Sequence, residues 1–367
     1  MDARRGYPGV TRALRSAGAL AEAGLVPPER LSELERVAAR YAVAVTPDMA
    51  ALIEAPDDPI ARQFVPSAAE LDARPEERAD PIGDKAHSPL PGIVHRYPDR
   101  VLLKPLHVCP VYCRFCFRRE MVGPEGNGSL TEAELDAALA YVAGAPEIWE
   151  VVVTGGDPFL LSPRRMAAIG RTLGAAPHVR VMRFHTRVPV VEPERVSEAL
   201  VSALRVFPGA TFVALHANHP REFTPRARAA IARLVDAGVP MVSQSVLLAG
   251  VNDDADTLSQ LMRCFVENRI KPYYLHQGDL APGTAHLRTS IEAGQGLLRE
   301  MRGRVSGLCQ PTYVLDIPGG HGKVPIGPDF VERAGEGHRV TDPWGRSHAY
   351  PPSPDTADEK VRDAGGK

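Results

Sequence analysis

The chain has 367 residues, 44% of them hydrophobic and 24% charged, with a formal net charge of -2. This is ordinary globular composition, enough for one large domain with extensions, and its near-neutral balance argues against nucleic acid or acidic membrane as a partner. No stretch approaches the roughly 18 uninterrupted apolar residues of a membrane span, and Met1-Asp2-Ala3-Arg4-Arg5 has no apolar run behind it, so a soluble cytoplasmic protein is expected.

The first ninety or so residues read as helical and then irregular. Leu31, Leu34, Val37, Ala38 and Tyr41 recur at helical spacing, and Thr46-Pro47 offers a second helix start, a capping threonine before a proline. The stretch 55–91 is rich in Pro, Asp and Ala and reads as a wrapping extension, not a second core. From about residue 100 the pattern alternates. Strand-like runs at 101–106, 150–154, 179–185, 211–216, 240–248 and 271–276 are separated by helical segments at 131–142, 162–173, 193–204, 224–237, 256–268 and 291–301. Thr131 with Glu134 predicts a capping box, and the helix starting at Thr224-Pro225 is expected to end in a left-handed cap at Gly238.

Six such repeats imply parallel strands with crossover helices, in either an open doubly wound sheet or a partial barrel. A further strand is expected at 311–315, and the tail after about Pro354 reads as disordered. The expected division is a helical and irregular extension over 1–92, a strand–helix core over 93–303, a C-terminal segment over 304–350 and a tail over 351–367.

In parallel α/β folds the residues that handle ligands gather at the C-terminal ends of the strands. Here Cys109, Cys113 and Cys116 follow the first strand, Gly155-Gly156-Asp157 the second, and His185 to Arg187 the third. His216 closes the fourth, Gln244 lies in the fifth and Asp279 follows the sixth. One end of the sheet is therefore loaded with polar groups.

The cysteines are spaced C-x3-C-x2-C, and such a cluster in a reducing compartment reads first as a metal or catalytic site. Three thiolates on a short loop can ligate three irons of a [4Fe–4S] cluster, which leaves the fourth iron an open coordination site. A structural zinc with His107 as fourth ligand, or three unrelated thiols, are the competing readings. Cys264 falls on the apolar pattern of a helix and reads as core, and Cys309 as structural. The triplet at the end of the first strand of a strand–helix repeat resembles the signature of the radical S-adenosylmethionine (SAM) superfamily. That resemblance implies that SAM chelates the open iron and that one electron cleaves it to a 5′-deoxyadenosyl radical. Gly155-Gly156-Asp157 is similar to the glycine-rich element that contacts the SAM amino group, although by itself it is only a turn.

A second constellation runs Asp316-Ile-Pro-Gly319-Gly320-His321-Gly322-Lys323. It does not meet the order of a P-loop, since Val324 follows Lys323, and taken alone it reads as a surface loop with a solvated lysine. Together with His95 to Arg100, Cys109 to Arg119, His216 to Pro220, Gln244 to Leu248, Asn252-Asp253 and Lys271 to Asp279, it resembles the lysine 2,3-aminomutase family over roughly residues 80 to 345. The resemblance favours an α/β fold with a partial, six-stranded (βα) TIM-like barrel of the radical SAM type and a helical N-terminal extension. It implies three cofactors: the [4Fe–4S] cluster on Cys109, Cys113 and Cys116, SAM, and pyridoxal phosphate (PLP) held covalently by Lys323. Arg96, Tyr97 and Arg100 match positions near PLP, His216 and Gln244 positions that contact SAM, and Arg118 the position that binds the substrate carboxylate. Asp279 and Asp316 match the two acids that hold the distal ammonium of lysine.

The implied activity is an isomerase reaction, radical 2,3-amino migration from L-lysine to β-lysine. Its expected partners are a small amino acid and an electron donor such as flavodoxin or ferredoxin, with neither nucleic acid nor membrane; a homo-oligomer is also allowed. The chain departs from the family pattern in three places. Position 254 is Asp and no cysteine follows Cys309, so the structural zinc of some relatives is expected to be absent. His321 stands where the lysine loop usually has glycine, an uncomfortable choice if the loop needs positive φ there. Phe115-Cys116-Phe117 and the short chain are similar to relatives that modify a lysine of elongation factor P, which is the nearest alternative activity. A non-catalytic iron–sulfur protein for electron transfer or regulation is a further alternative, but it leaves Lys323, Asp279 and Asp316 without a role.

Overall fold

The computed structural model describes residues 10–122 and 128–351. The tail read from the sequence as disordered therefore lies, beyond Pro351, outside the described residues. Nine strands form one sheet: β1 (Ile93–Tyr97), β2 (Arg100–Leu106), β3 (Glu150–Gly155), β4 (Val181–Thr186), β5 (Ala210–His216), β6 (Met241–Val246), β7 (Ile270–His276), β8 (Thr312–Asp316) and β9 (Lys323–Pro325). From β2 to β8 every neighbouring pair is parallel. Buried runs such as Val151, Val152 and Val153 show why, because a parallel strand covered on both faces needs continuous apolar residues.

The strand order is strictly sequential, β1 through β9. A doubly wound sheet reverses order at a switch point; this one never does. Right-handed crossovers then place all the helices on one face, and the twisted sheet curls into a half-barrel. The helices start where side chains cap them: Thr131 and Glu134 form the expected capping box, and Ser162, Thr224, Asp254 and Ser290 each accept an amide of the first turn. Gly238 has φ +80°, the expected left-handed cap.

Three differences from the sequence-based expectation have local causes. The helix expected over 193–204 breaks after a short 3-10 turn, because the Ser197 hydroxyl caps a new helix, Glu198–Leu204. The strand expected over 240–248 stops at Val246, whose N–H goes to Asn218 Oδ1 while that of Leu248 goes to Asn252 Oδ1. Both edge strands run antiparallel, β1 against β2 and β9 against β8, and a separate meander of β10 (Val331–Ala334), β11 (Gly337–Thr341) and β12 (Ser347–Tyr350) follows. No helix among the described residues is long and apolar enough to cross a membrane.

The N-terminal extension wraps the sheet and brings buried polar residues to it. Glu70 pairs with both Arg114 and Arg119, Asp84 with Arg96 and Arg118, and Gln63 hydrogen-bonds Arg187 and Asn218. The cysteine loop is thus clamped from outside by carboxylates more than fifty residues from the start of the barrel's third strand.

Candidate active site

Strand β2 delivers the chain into the loop of Cys109, Cys113 and Cys116. The glycines after β3 fix its start. The Gly156 N–H donates to the Leu106 carbonyl at 2.7 Å and the Asp157 N–H to the Val108 carbonyl at 2.9 Å. A Cβ at Gly156 would lie 2.2 Å from the Val108 carbonyl oxygen, so no side chain fits there. The Asp157 carboxylate turns inward and accepts from Phe159 N, Thr186 Oγ1, Arg187 N and Val188 N at 2.7–3.2 Å. It ties the ends of β3 and β4 to the cysteine loop.

Arg187 donates to Cys113 Sγ at 3.0 Å, and its other terminal nitrogen reaches Gln63 and Glu222. Burial pushes all three thiols up, Cys116 to about 11, and neighbouring cysteines add to the rise at Cys109 and Cys116. Thiols that disfavour their own ionisation yet stand together suit a positively charged iron core, which stabilises thiolate. Among the described residues no three acidic, His or Cys side chains converge on a single metal ion.

Further round the sheet, His216 at the end of β5 stands in register with Gln244 on β6. The ring of Phe115, from the cysteine loop, lies 5.6 Å from that of His216. His216 Nε2 and His185 Nε2 are buried without a hydrogen-bond partner among the described residues, as is Arg187 Nε. Burial holds both imidazoles well below the usual range, hence neutral. Each orphaned polar atom costs about 1–3 kcal/mol until a ligand or water satisfies it. Those of His216 and Arg187, whose side chains contact Phe115 and Cys113 of the cysteine loop, suit a polar ligand there.

Lys323 on β9 stands directly opposite Asp316 on β8. Its ammonium bonds the Asp316 carboxylate and lies 3.2 Å from His276 Nδ1. The Lys323 N–H donates to Tyr97 Oη at 2.7 Å, which joins the edge strand β1 to the lysine. Asp279 lies just past the end of β7. Burial, reinforced by the neighbouring Asp316, pushes it up to about 7. Burial acts on Asp316 too, but His276, 3.7 Å away, and the Lys323 ammonium hold it well below the usual carboxylate range. In the loop between them Gly319, Gly320 and Gly322 have φ of +89°, +87° and +96°. His321 does not: among the described non-glycine residues only Arg269 has positive φ. Its departure from glycine therefore brings no backbone strain.

Arg118 donates through Nε and Nη2 to Asp84 Oδ2 at 3.2 and 2.9 Å. Arg96 shares the same carboxylate at 3.3 Å and also reaches the Ile82 carbonyl, leaving its Nε buried and unpartnered among the described residues. Arg100 stays at the sheet edge, paired with Asp99 and 3.8 Å above the Tyr97 ring. The structure thus gathers Lys323, Asp316, Asp279 and Arg118 around one mouth and reaches Arg100 only through Tyr97. Sequence reasoning assigned no role to Asp84, Lys104, His185, Arg187 or His276. Lys104 and His276 carried a signal, as polar residues inside otherwise apolar strands; Asp84 sits in a stretch without periodicity.

Residues 103–261 match the radical SAM superfamily. That span covers β2, the cysteine loop, the Gly-Gly-Asp turn and the strands as far as β6, so the chain is of the radical SAM class. It is 40% identical to the L-lysine 2,3-aminomutase of Acetoanaerobium sticklandii over 83% of this chain and 73% of that one. Against the L-lysine 2,3-aminomutase of Clostridium subterminale it is 40% identical over 79% and 70%. The glutamate 2,3-aminomutase of Clostridioides difficile is 32% identical over 85% and 74%. The chain belongs to the L-lysine 2,3-aminomutase family of radical SAM enzymes.

The family's cofactors are a [4Fe–4S] cluster, SAM and PLP, and the residues present fit them. The three free thiols on one loop are a donor set of the kind such a cluster takes. The unpartnered nitrogens of His216 and Arg187, whose side chains reach Phe115 and Cys113 of the cysteine loop, suit a polar ligand such as SAM. Lys323 offers an amine at the end of a glycine loop whose backbone packs so closely on the extension that a Cβ at Gly320 would sit 2.8 Å from His87 Nε2.

Proposed function

We propose that the protein moves the α-amino group of free L-lysine to the neighbouring carbon, giving β-lysine. The observation that carries this reading is the half-buried pair Asp279 and Asp316. Asp316 already holds an alkylammonium, that of Lys323, and Asp279 stands within its field. The distal ammonium of lysine meets the same two acids, whereas a substrate with a carboxylate there is repelled.

When bound, the cluster with SAM supplies a radical that abstracts hydrogen, and PLP supplies the conjugated aldehyde that holds the migrating nitrogen. In this reading Cys109, Cys113 and Cys116 hold the cluster, while Gly155, Gly156, Asp157, His216 and Gln244 shape the SAM side. Lys323 bears PLP, with Arg96, Tyr97 and Arg100 beside it. To react, the Lys323 amine must lose the proton that Asp316 stabilises. His276 Nδ1 is 3.2 Å away and kept neutral by burial, so it is the group placed to accept that proton. Arg118 binds the substrate carboxylate. Asp84 takes its Nε and Nη2 and so orients the remaining nitrogen. We also assign residues 1–92 to an extension, 93–303 to the barrel and 304–350 to a segment that closes it with Lys323, in a cytoplasmic protein.

The test is an anaerobic assay of the reconstituted protein with SAM, PLP and dithionite, offering free L-lysine, L-glutamate and unmodified elongation factor P separately. β-Lysine from free lysine, detected by mass spectrometry, is the expected result. Turnover of glutamate or of the protein substrate alone would overturn the assignment.

A further inference from the structure

Away from the barrel mouth, a cleft of about 390 Å³ opens onto the cysteine loop from the side of the N-terminal extension. Cys109, Pro110 and Tyr112 line it on one side, and Arg12, Arg15 and Arg195 stand around it. All three arginines are exposed. Arg195 pairs with Glu192, which also lines the cleft, while among the described residues Arg12 and Arg15 form no ion pair. The lining thus sets three arginines against one glutamate beside Cys109, and the neighbouring acids Asp48 and Glu194 are both paired with Arg226. Tyr112 lines the same cleft as Cys109 and Arg15.

The proposed reaction needs an electron from outside, and toward the barrel the cysteine loop packs Phe115 against His216, ring centroids 5.6 Å apart. The outer cleft is where a cluster cysteine lines an open surface. We propose that it is the docking site of a small acidic one-electron carrier protein, whose carboxylates meet Arg12, Arg15 and Arg195. One electron passes from the reduced carrier to the cluster, taking it from the 2+ to the 1+ state and leaving the carrier oxidised by one electron; no atom moves. Complementary charge of this kind steers encounter and is weakened by salt. The proposal rests on the reading of Cys109, Cys113 and Cys116 as cluster ligands.

The experiment uses cluster-loaded full-length protein and purified flavodoxin as the probe. Binding is measured by calorimetry at low and high ionic strength, and cluster bleaching by flavodoxin hydroquinone in a stopped-flow instrument. In the double variant R12E/R15E both affinity and bleaching rate are expected to fall by roughly tenfold or more, with a shallower salt dependence. Iron content and bleaching by photoreduced deazaflavin, a small reductant, should stay as in the parent. The milder R12Q/R15Q should fall part of the way, and Arg333→Glu, on the distant meander, should change neither quantity. Unchanged flavodoxin binding and bleaching in R12E/R15E would overturn the docking site, as would an equal loss in Arg333→Glu. A parent protein that holds no cluster would instead bring down the cluster reading itself.

Discussion

Asp279 and Asp316 are chemically identical acids on neighbouring strand ends, and their surroundings drive them apart. Asp316 stays ionised against Lys323 and His276, whereas Asp279 is pushed up to about 7 by burial and by Asp316. Below that pH Asp279 is protonated and gives an ammonium no opposite charge; above it the charge appears. The KM for lysine should therefore fall as pH rises through about 7 and then level off. In Asp279→Asn that slope should vanish and KM should rise by about 30-fold, roughly 2 kcal/mol; steady-state kinetics from pH 6 to 8.5 would check it. Lys323→Ala should abolish turnover and the PLP adduct that borohydride reduction fixes to the intact chain, read by mass spectrometry. The cysteines stand out by their spacing, whereas Lys323 and both acids are singled out only by the resemblance to the family, since alone they read as ordinary loop residues. His276 and Asp84 were not, because their roles arise from cross-strand register and from a distant loop folding back, which no local pattern carries.

At the scale of elements, the extension neutralises the arginines of the cysteine loop. Glu70 is buried between Arg114 and Arg119, themselves buried. Glu70→Gln removes one charge and strands two, which should cost about 3–5 kcal/mol, visible as a lower urea midpoint. Gly156→Ala acts on the other side of the same loop. With no room beside the Val108 carbonyl, the loop must shift, and iron bound per chain after reconstitution should drop well below that of the parent. Helix starts were readable from their caps, and the parallel strands from their β-branched runs. The antiparallel edges β1 and β9 and the exposed meander were missed, because strands of three to five residues with polar faces lack the apolar run that marked the others. The extension was readable as a wrapper, but composition could not show which of its carboxylates face inward.

For the whole molecule, sequential strand order explains why so many functional groups share one place. Each parallel strand ends at the same rim, so loops far apart in the chain meet there. The alternation of strand and helix left a doubly wound sheet open; the uninterrupted order decided for the half-barrel. The cysteine loop follows the first parallel strand and Lys323 opens the last strand of the sheet, and the two acids proposed to select the substrate follow β7 and end β8. The central claim is that radical chemistry at this rim acts on Cβ of lysine. It is tested most directly by incubating the reconstituted protein with SAM, PLP, reductant and L-lysine deuterated at Cβ, and measuring deuterium in the 5′-deoxyadenosine that accumulates. Deuterium there together with labelled β-lysine is the predicted result. β-Lysine without label in 5′-deoxyadenosine, or label drawn from Cβ-deuterated glutamate instead, would contradict the account.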